Sequence, residues 1–252
     1  MSDFSVKDKT YHDVIATEYN AIVVAPRRVT NDWIYRKAGA HIPGGERMLD
    51  LGCGTGHLSL RFHARFKDVV AVDHSIGMLD QARQDLTQRG IKHVQLVTSD
   101  IFEFMERETR TFSFIGCVGF LHHLTEGDIE KVLMWCAKHL EPNGRIIISE
   151  PIKIPPESVP ARVVKWNSFS IAAKMSYSIN PTPPDEAPIS LEFFRSAISR
   201  MGLREDYSIR SWEVFPQSNP PAMTDKIAIR AFNWLYGKNG NVFTTVLALH
   251  KC

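Results

Sequence analysis

The stretch Met48-Leu49-Asp50-Leu51-Gly52-Cys53-Gly54-Thr55-Gly56 carries an apolar run directly into three glycines at every second position. Glycine accepts positive φ and has no Cβ, so a turn of this composition lets backbone approach a ligand where any side chain would block it. Beyond it, Leu58, Phe62 and Phe66 fall on one face of a predicted helix. Strand, glycine turn and helix make half of a βαβ nucleotide site, which points to an α/β fold around a parallel sheet.

The spacing of the glycines separates two cofactor classes. A dinucleotide fingerprint, G-x-G-x-x-G counted from Gly52, would need glycine where this chain has His57. The alternative, an acid followed by three alternating glycines, is met in full by Asp50, Gly52, Gly54 and Gly56. This resembles the first motif of the class I S-adenosylmethionine-dependent methyltransferases, and further matches cover roughly residues 11 to 151. The resemblance implies a Rossmann-like, doubly wound sheet of seven mostly parallel strands with an antiparallel last strand and a helical lid insertion. It also implies S-adenosylmethionine as cofactor. The expected organisation is one domain, with N-terminal helices over 1–44, a cofactor-binding core over 45–151, a variable lid over 152–189 and the rest of the sheet over 190–252.

Composition narrows the partners. Thirty Lys and Arg against 28 Asp and Glu leave a formal net charge of +2 in 252 residues, too little to steer the chain to nucleic acid or an acidic membrane. A small-molecule substrate is expected, with no nucleic acid or membrane partner and a monomer or homodimer as the assembly. Cys53, Cys117, Cys136 and Cys252 show no metal-site or disulfide spacing. The first residues lack an apolar signal core and no run approaches the ~18 apolar residues of a membrane span, so a cytoplasmic setting is expected.

Residues 13–23 read as a helix, and a second is predicted to open at Asn31 and stop before Gly39. Ala16-Thr17-Glu18-Tyr19-Asn20 resembles the family's A-x-x-Tyr-Asp pattern, with Asn20 in place of the acid. The resemblance implies that Tyr19 covers the methionine end of the cofactor; packing within the helix is the other reading. Val69 to Asp73 forms a second strand, apolar until its terminal acid. Asp73 is placed to accept hydrogen bonds from a ribose hydroxyl pair, or to cap a helix, although Ser75 already supplies a cap for residues 76–89. By resemblance Met78 contributes to an apolar adenine wall, and Asp100, after the third strand at Val94–Val97, bonds the adenine amino group. Cys53, His74, Ser99, Ile101 and Val118 adjoin these strand ends and complete the expected cofactor set.

The fourth strand, Phe112 to Val118, leads to Gly119-Phe120-Leu121-His122-His123-Leu124. Chemistry is expected here, beside the point where strand order reverses. His122 or His123 can serve as general base, since imidazole titrates near neutral pH, or can only shape the cofactor pocket. Glu150, ending the fifth strand (Arg145–Ser149), can orient or deprotonate a substrate, or form a cap or salt bridge. Thr125 to Asp128 reads as a capping box opening a helix with Ile129, Val132, Leu133, Cys136 and Leu140 on one face.

Prolines crowd 152–188 around a helical patch whose Trp166, Phe169, Met175 and Tyr177 suit a lid over a small organic substrate, or a cap without substrate contact. Ser190 caps a predicted helix to Met201, and a sixth strand runs from Leu203 to Phe215. Asn219-Pro220-Pro221-Ala222 resembles the motif of methyltransferases acting on nucleic acid bases, but it is misplaced and lacks the aromatic. A helix from Lys226 to Tyr236 and a last strand from Asn241 to His250 complete the chain. Methyl transfer from a sulfonium is an in-line displacement that needs no metal and depends mainly on alignment, so no metal site is expected. The leading expectation is O- or N-methylation of a small molecule, possible C-methylation included. RNA methylation and a catalytically inactive cofactor-binding partner are the alternatives.

Overall fold

The computed structural model of the chain describes residues 3–153, 188–213 and 220–249, with only the backbone for residues 3–7. Its seven-stranded sheet has the order β3-β2-β1-β4-β5-β7-β6, from β1 (Gly45–Leu51), β2 (Phe66–Asp73), β3 (Val94–Thr98), β4 (Phe112–Val118), β5 (Leu140–Pro151), β6 (Leu203–Ser211) and β7 (Val242–Leu249). Pairings among β1 to β5 are parallel, and β7 runs antiparallel to both β5 and β6, the architecture expected from the sequence. Strand order reverses between β1 and β4, so the carboxyl ends of these two strands frame the crevice.

Burial on both faces explains the near-continuous apolar strands. Leu49, Leu51, Ile115 and Cys117 face one side, against Ile129, Val132, Leu133 and Cys136 of a helix over Glu126–His139. Met48 and Phe114, one residue out of phase, face the other, against Leu58 and Phe62 of a helix over His57–Phe62. Phe66, expected on that helix, instead opens β2, because a 3-10 turn at His63–Arg65 ends the helical run; its ring stacks on Phe114. Leu140 likewise opens β5 and leaves the helical face assigned to it. Ser75, Thr125 and Ser190 cap their helices as predicted, each hydroxyl accepting from the backbone N–H three residues on.

The N-terminal region departs from expectation. α1 (Asp3–Tyr19), a π-helical turn (Asn20–Val24) and α2 (Ala25–Ala38) follow one another without a break. Backbone dihedrals remain right-handed helical at Tyr19, Val24 and Ala25, so no second helix starts at Asn31 and no cap is needed there. Pro26 lies just past the π-helical turn, where its missing N–H removes one bond from an otherwise continuous ladder. Most of the expected lid, with Trp166, Phe169, Met175 and Tyr177, lies outside the described residues, as does the predicted end of the sixth strand at Phe215; the described part of β6 ends at Ser211.

Candidate active site

The glycine turn joins β1 to the helix opening at His57, here α3 (His57–Phe62). Gly52 adopts φ +64°, and a Cβ there would meet the Phe120 ring at 2.6 Å, so this glycine lets the β4 loop pack against the turn. Gly54 adopts φ +51°, and a Cβ there would meet nothing within 4 Å: its backbone borders open space, as a ligand cradle requires. The turn is held from β2, with Cys53 N donating to Val72 O at 3.0 Å and Gly54 N to Asp73 Oδ2 at 2.8 Å. Asp73 Oδ1 accepts from Ser75 N at 2.9 Å. One carboxylate thus couples the glycine turn to the start of α4 (Ile76–Gln88).

A cavity of about 1440 Å³ opens over these strand ends. Eleven of the thirteen expected cofactor residues line it: Gly52, Cys53, Gly54 and Asp73 from the turn, His74 and Met78 beyond β2, Ser99, Asp100 and Ile101 beyond β3, Val118 from β4, and Tyr19 from α1. Asp50 and Gly56 do not line it. Asp50, 1% exposed, lies behind the turn, where Oδ2 accepts from Ser59 N at 3.0 Å and Ser59 Oγ at 2.6 Å, tying β1 to α3. Burial raises its pKa to about 7, with Asp73 adding to the rise against the pull of the Ser59 bonds. Gly56 caps α3, where a Cβ would stand 3.2 Å from Ala82. Asp100 also caps a helix, α5 (Ile101–Arg107), its Oδ1 accepting from Phe102 N and Glu103 N. Burial, with Asp73 and Asp50 nearby, pushes the Cys53 thiol far up, so it is no nucleophile.

On the β4–β5 side, Glu150 is 2% exposed. Its Oε1 accepts from Phe120 N at 3.1 Å and Leu121 N at 3.0 Å, and its Oε2 lies 2.7 Å from His122 Nδ1. The carboxylate only accepts, so Nδ1 carries the proton of this bond when His122 is neutral. The short 3-10 turn Leu121–His123 sets the His122 and His123 rings against each other, tilted by 38° with centroids 4.1 Å apart. Burial and His122 push His123 down to about 3, against the pull of Asp8.

The N-terminal helix closes the opposite wall. Asp13 Oδ1 accepts from Ser75 Oγ at 2.6 Å and Gly77 N at 3.1 Å, docking α1 onto the start of α4. Tyr11, Ile15 and Ala16 pack there with Met78, and Tyr19 lies against this cluster while lining the cavity. In the π-helical turn, Asn20 Oδ1 accepts from Thr55 Oγ1 at 2.7 Å, a direct link from the cover to the glycine turn. Asp8 and His12 also line the cavity, beside His74 and His123. Sequence reasoning missed Asp8, His12 and Thr55; the i,i+4 spacing of an acid and a histidine in α1 was the available signal for the first two.

Residues 48–144 match the family model described as a methyltransferase domain. The matched segment, under half of the chain, is similar to a methyltransferase domain. The chain is 33% identical over 118 residues to the ubiquinone biosynthesis O-methyltransferase of Aromatoleum aromaticum, a match covering 47% of this chain and 48% of that one. The chain thus spans about half the length of the curated relatives it matches. Among solved structures, an S-adenosylmethionine-dependent methyltransferase from Clostridium acetobutylicum superposes with a TM-score of 0.60 at 16% identity, covering 94% of this chain and 98% of that one. The cyclase SpnF superposes at 0.66 with 14% identity, covering 98% and 97%. Such likenesses establish the fold alone; a cyclase among the neighbours underlines that chemistry is set by the site.

Proposed function

We propose that the protein transfers a methyl group from S-adenosylmethionine to a hydroxyl oxygen of a small-molecule acceptor. The Glu150–His122 pair carries this reading, because it stands on the wall of the same cavity as the glycine cradle. The cofactor fits the residues present: bare backbone at Gly54 faces open space, and Asp73 and Asp100 each place a carboxylate at a strand end on the cavity wall. Bound S-adenosylmethionine supplies an electrophilic methyl group. The volume, about 1440 Å³, exceeds the ~300–1,000 Å³ typical of a single small ligand and leaves room for an acceptor.

Glu150, fixed by two backbone N–H groups, orients the imidazole and stabilises its charged form. His122 then takes the acceptor proton at Nε2 as the oxygen gains the methyl group. His123, without such a carboxylate hydrogen bond, shapes the wall. Tyr19 and the α1 cover exclude water. The names of the curated relatives, O-methyltransferases, support oxygen over nitrogen.

The test is calorimetric titration with S-adenosylmethionine, S-adenosylhomocysteine and NAD, followed by an acceptor screen that records S-adenosylhomocysteine release. Binding of the adenosyl ligands alone, with turnover on phenols or alcohols, is expected. Binding of NAD alone, or turnover confined to amines, would overturn the reading.

A further inference from the structure

Four side chains from three separate elements meet at one point on the cavity wall. Asp8 and His12 come from successive turns of α1, His74 from the end of β2, and His123 from the 3-10 turn after β4. Asp8 Oδ1 lies 3.4 Å from His12 Nδ1 and 3.3 Å from His123 Nδ1, and Asp8 Oδ2 lies 3.4 Å from His74 Nε2. Asp8 is only 6% exposed, and its Oδ1 and His123 Nδ1, buried 3.3 Å apart, make no well-directed hydrogen bond among the described residues. Poorly directed polar contacts are costly in a site this dry.

The spacing suits a shared ion. Ligands held at about 2.0–2.2 Å from one tetrahedral centre stand roughly 3.3–3.5 Å apart, the separation Asp8 Oδ1 keeps from His123 Nδ1, 3.3 Å. One donor atom from each of Asp8, His12 and His123 falls within 4.8 Å of the others. His12 Nδ1 also lies 2.9 Å from the Asp8 carbonyl, which can only accept, so Nδ1 carries the proton and Nε2 is the metal-binding nitrogen.

We propose that Asp8, His12 and His123 bind a divalent first-row transition metal of the zinc class, with His74 holding the second oxygen of the carboxylate. Two imidazoles and one carboxylate match that class better than calcium or magnesium, which take oxygen ligands. Three protein ligands leave a coordination position open, and all three residues line the cavity, so that position is available to an acceptor oxygen. An ion there would lower the pKa of a bound hydroxyl; only this last step rests on the proposed O-methylation. The ion would also pin α1 over the site, joining the cover to the β4 loop.

The test uses the full chain, stripped with a chelator and titrated with Zn²⁺ by calorimetry and with Co²⁺ by visible absorption, without acceptor. One equivalent is expected to bind, with Co²⁺ giving ligand-field bands that Zn²⁺ displaces. His12→Gln and His123→Gln should each weaken Zn²⁺ binding about 100-fold or more, and His74→Gln about 10-fold. The exposed His63–His93 pair, with ring nitrogens 3.3 Å apart, is the control: His63→Ala with His93→Ala should leave the affinity unchanged. Circular dichroism and S-adenosylmethionine titration of each variant report folding independently of the metal. Absence of Zn²⁺ binding, binding that disappears with the control pair, or affinity indifferent to the folded His12→Gln and His123→Gln variants would each overturn the site. A metal-binding protein without methyl transfer would leave it standing and refute the function.

Discussion

Asp73 and Glu150 end strands on opposite sides of the switch point, and each accepts two backbone N–H groups, yet the two halves of the sheet use them differently. Asp73 spreads its bonds, one oxygen to Gly54 and the other to Ser75, and stays half-exposed on the cavity wall. Glu150 concentrates both backbone bonds on one oxygen, is almost wholly buried, and turns the other oxygen to His122. A carboxylate that still meets the cavity is available to a ligand. A buried one acts through the side chain it orients. The β1–β3 half is thereby suited to binding and the β4–β5 half to proton transfer.

Substitutions that separate turnover from binding test this division most sharply. His122→Asn and Glu150→Gln are each expected to slow turnover by ~100-fold or more while cofactor affinity is unchanged. A loss confined to binding in steady-state and calorimetric measurements would merge the two halves. Asp50 supplies the next largest effect, because it serves neither half directly. Its pKa rises from 3.8 to about 7 on folding, so between these values the native state holds a proton that the unfolded chain has released. Stability should therefore fall as pH rises from about 4 to about 7, by up to ~1.4 kcal/mol per pH unit. Asp50→Asn, which keeps an acceptor for Ser59, should flatten that dependence in urea midpoints measured across the window.

Asp73→Ala should weaken S-adenosylmethionine binding by ~10-fold or more, since both the ligand bond and the tether to Gly54 are lost. Unchanged affinity in the folded variant would remove Asp73 from the binding half. The smallest change is expected from Asn20→Ala, which deletes one bond between cover and turn and should cost ~1 kcal/mol in denaturant unfolding, with turnover chemistry retained.

The glycine turn and strands β1 to β5 were legible because their signals are local: apolar runs, glycines at fixed spacing, and caps one turn from their helices. Gly52 and Gly54 could be singled out as backbone close to something. That one admits the Phe120 ring and the other faces the cavity depends on a loop more than sixty residues away. The helix expected to start at Asn31 failed for the opposite reason, since an Asn suited to capping lies inside a helix whose dihedrals never break. Asp50 shows the limit of motif reading. Its place in the pattern marks it for the cofactor, while burial and Ser59 make it a brace.

What the sequence by itself determined is the α/β order of elements and the strand ends where ligand-facing residues gather, since periodicity and turn chemistry act within a few residues. Only the tertiary structure decided which of His122 and His123 meets Glu150, and that Asp8 and His12 stand beside His74 and His123. Those meetings join residues 28 to 115 positions apart, and contacts across such separations arise from how helices pack on a twisted sheet, which no spacing along the chain encodes.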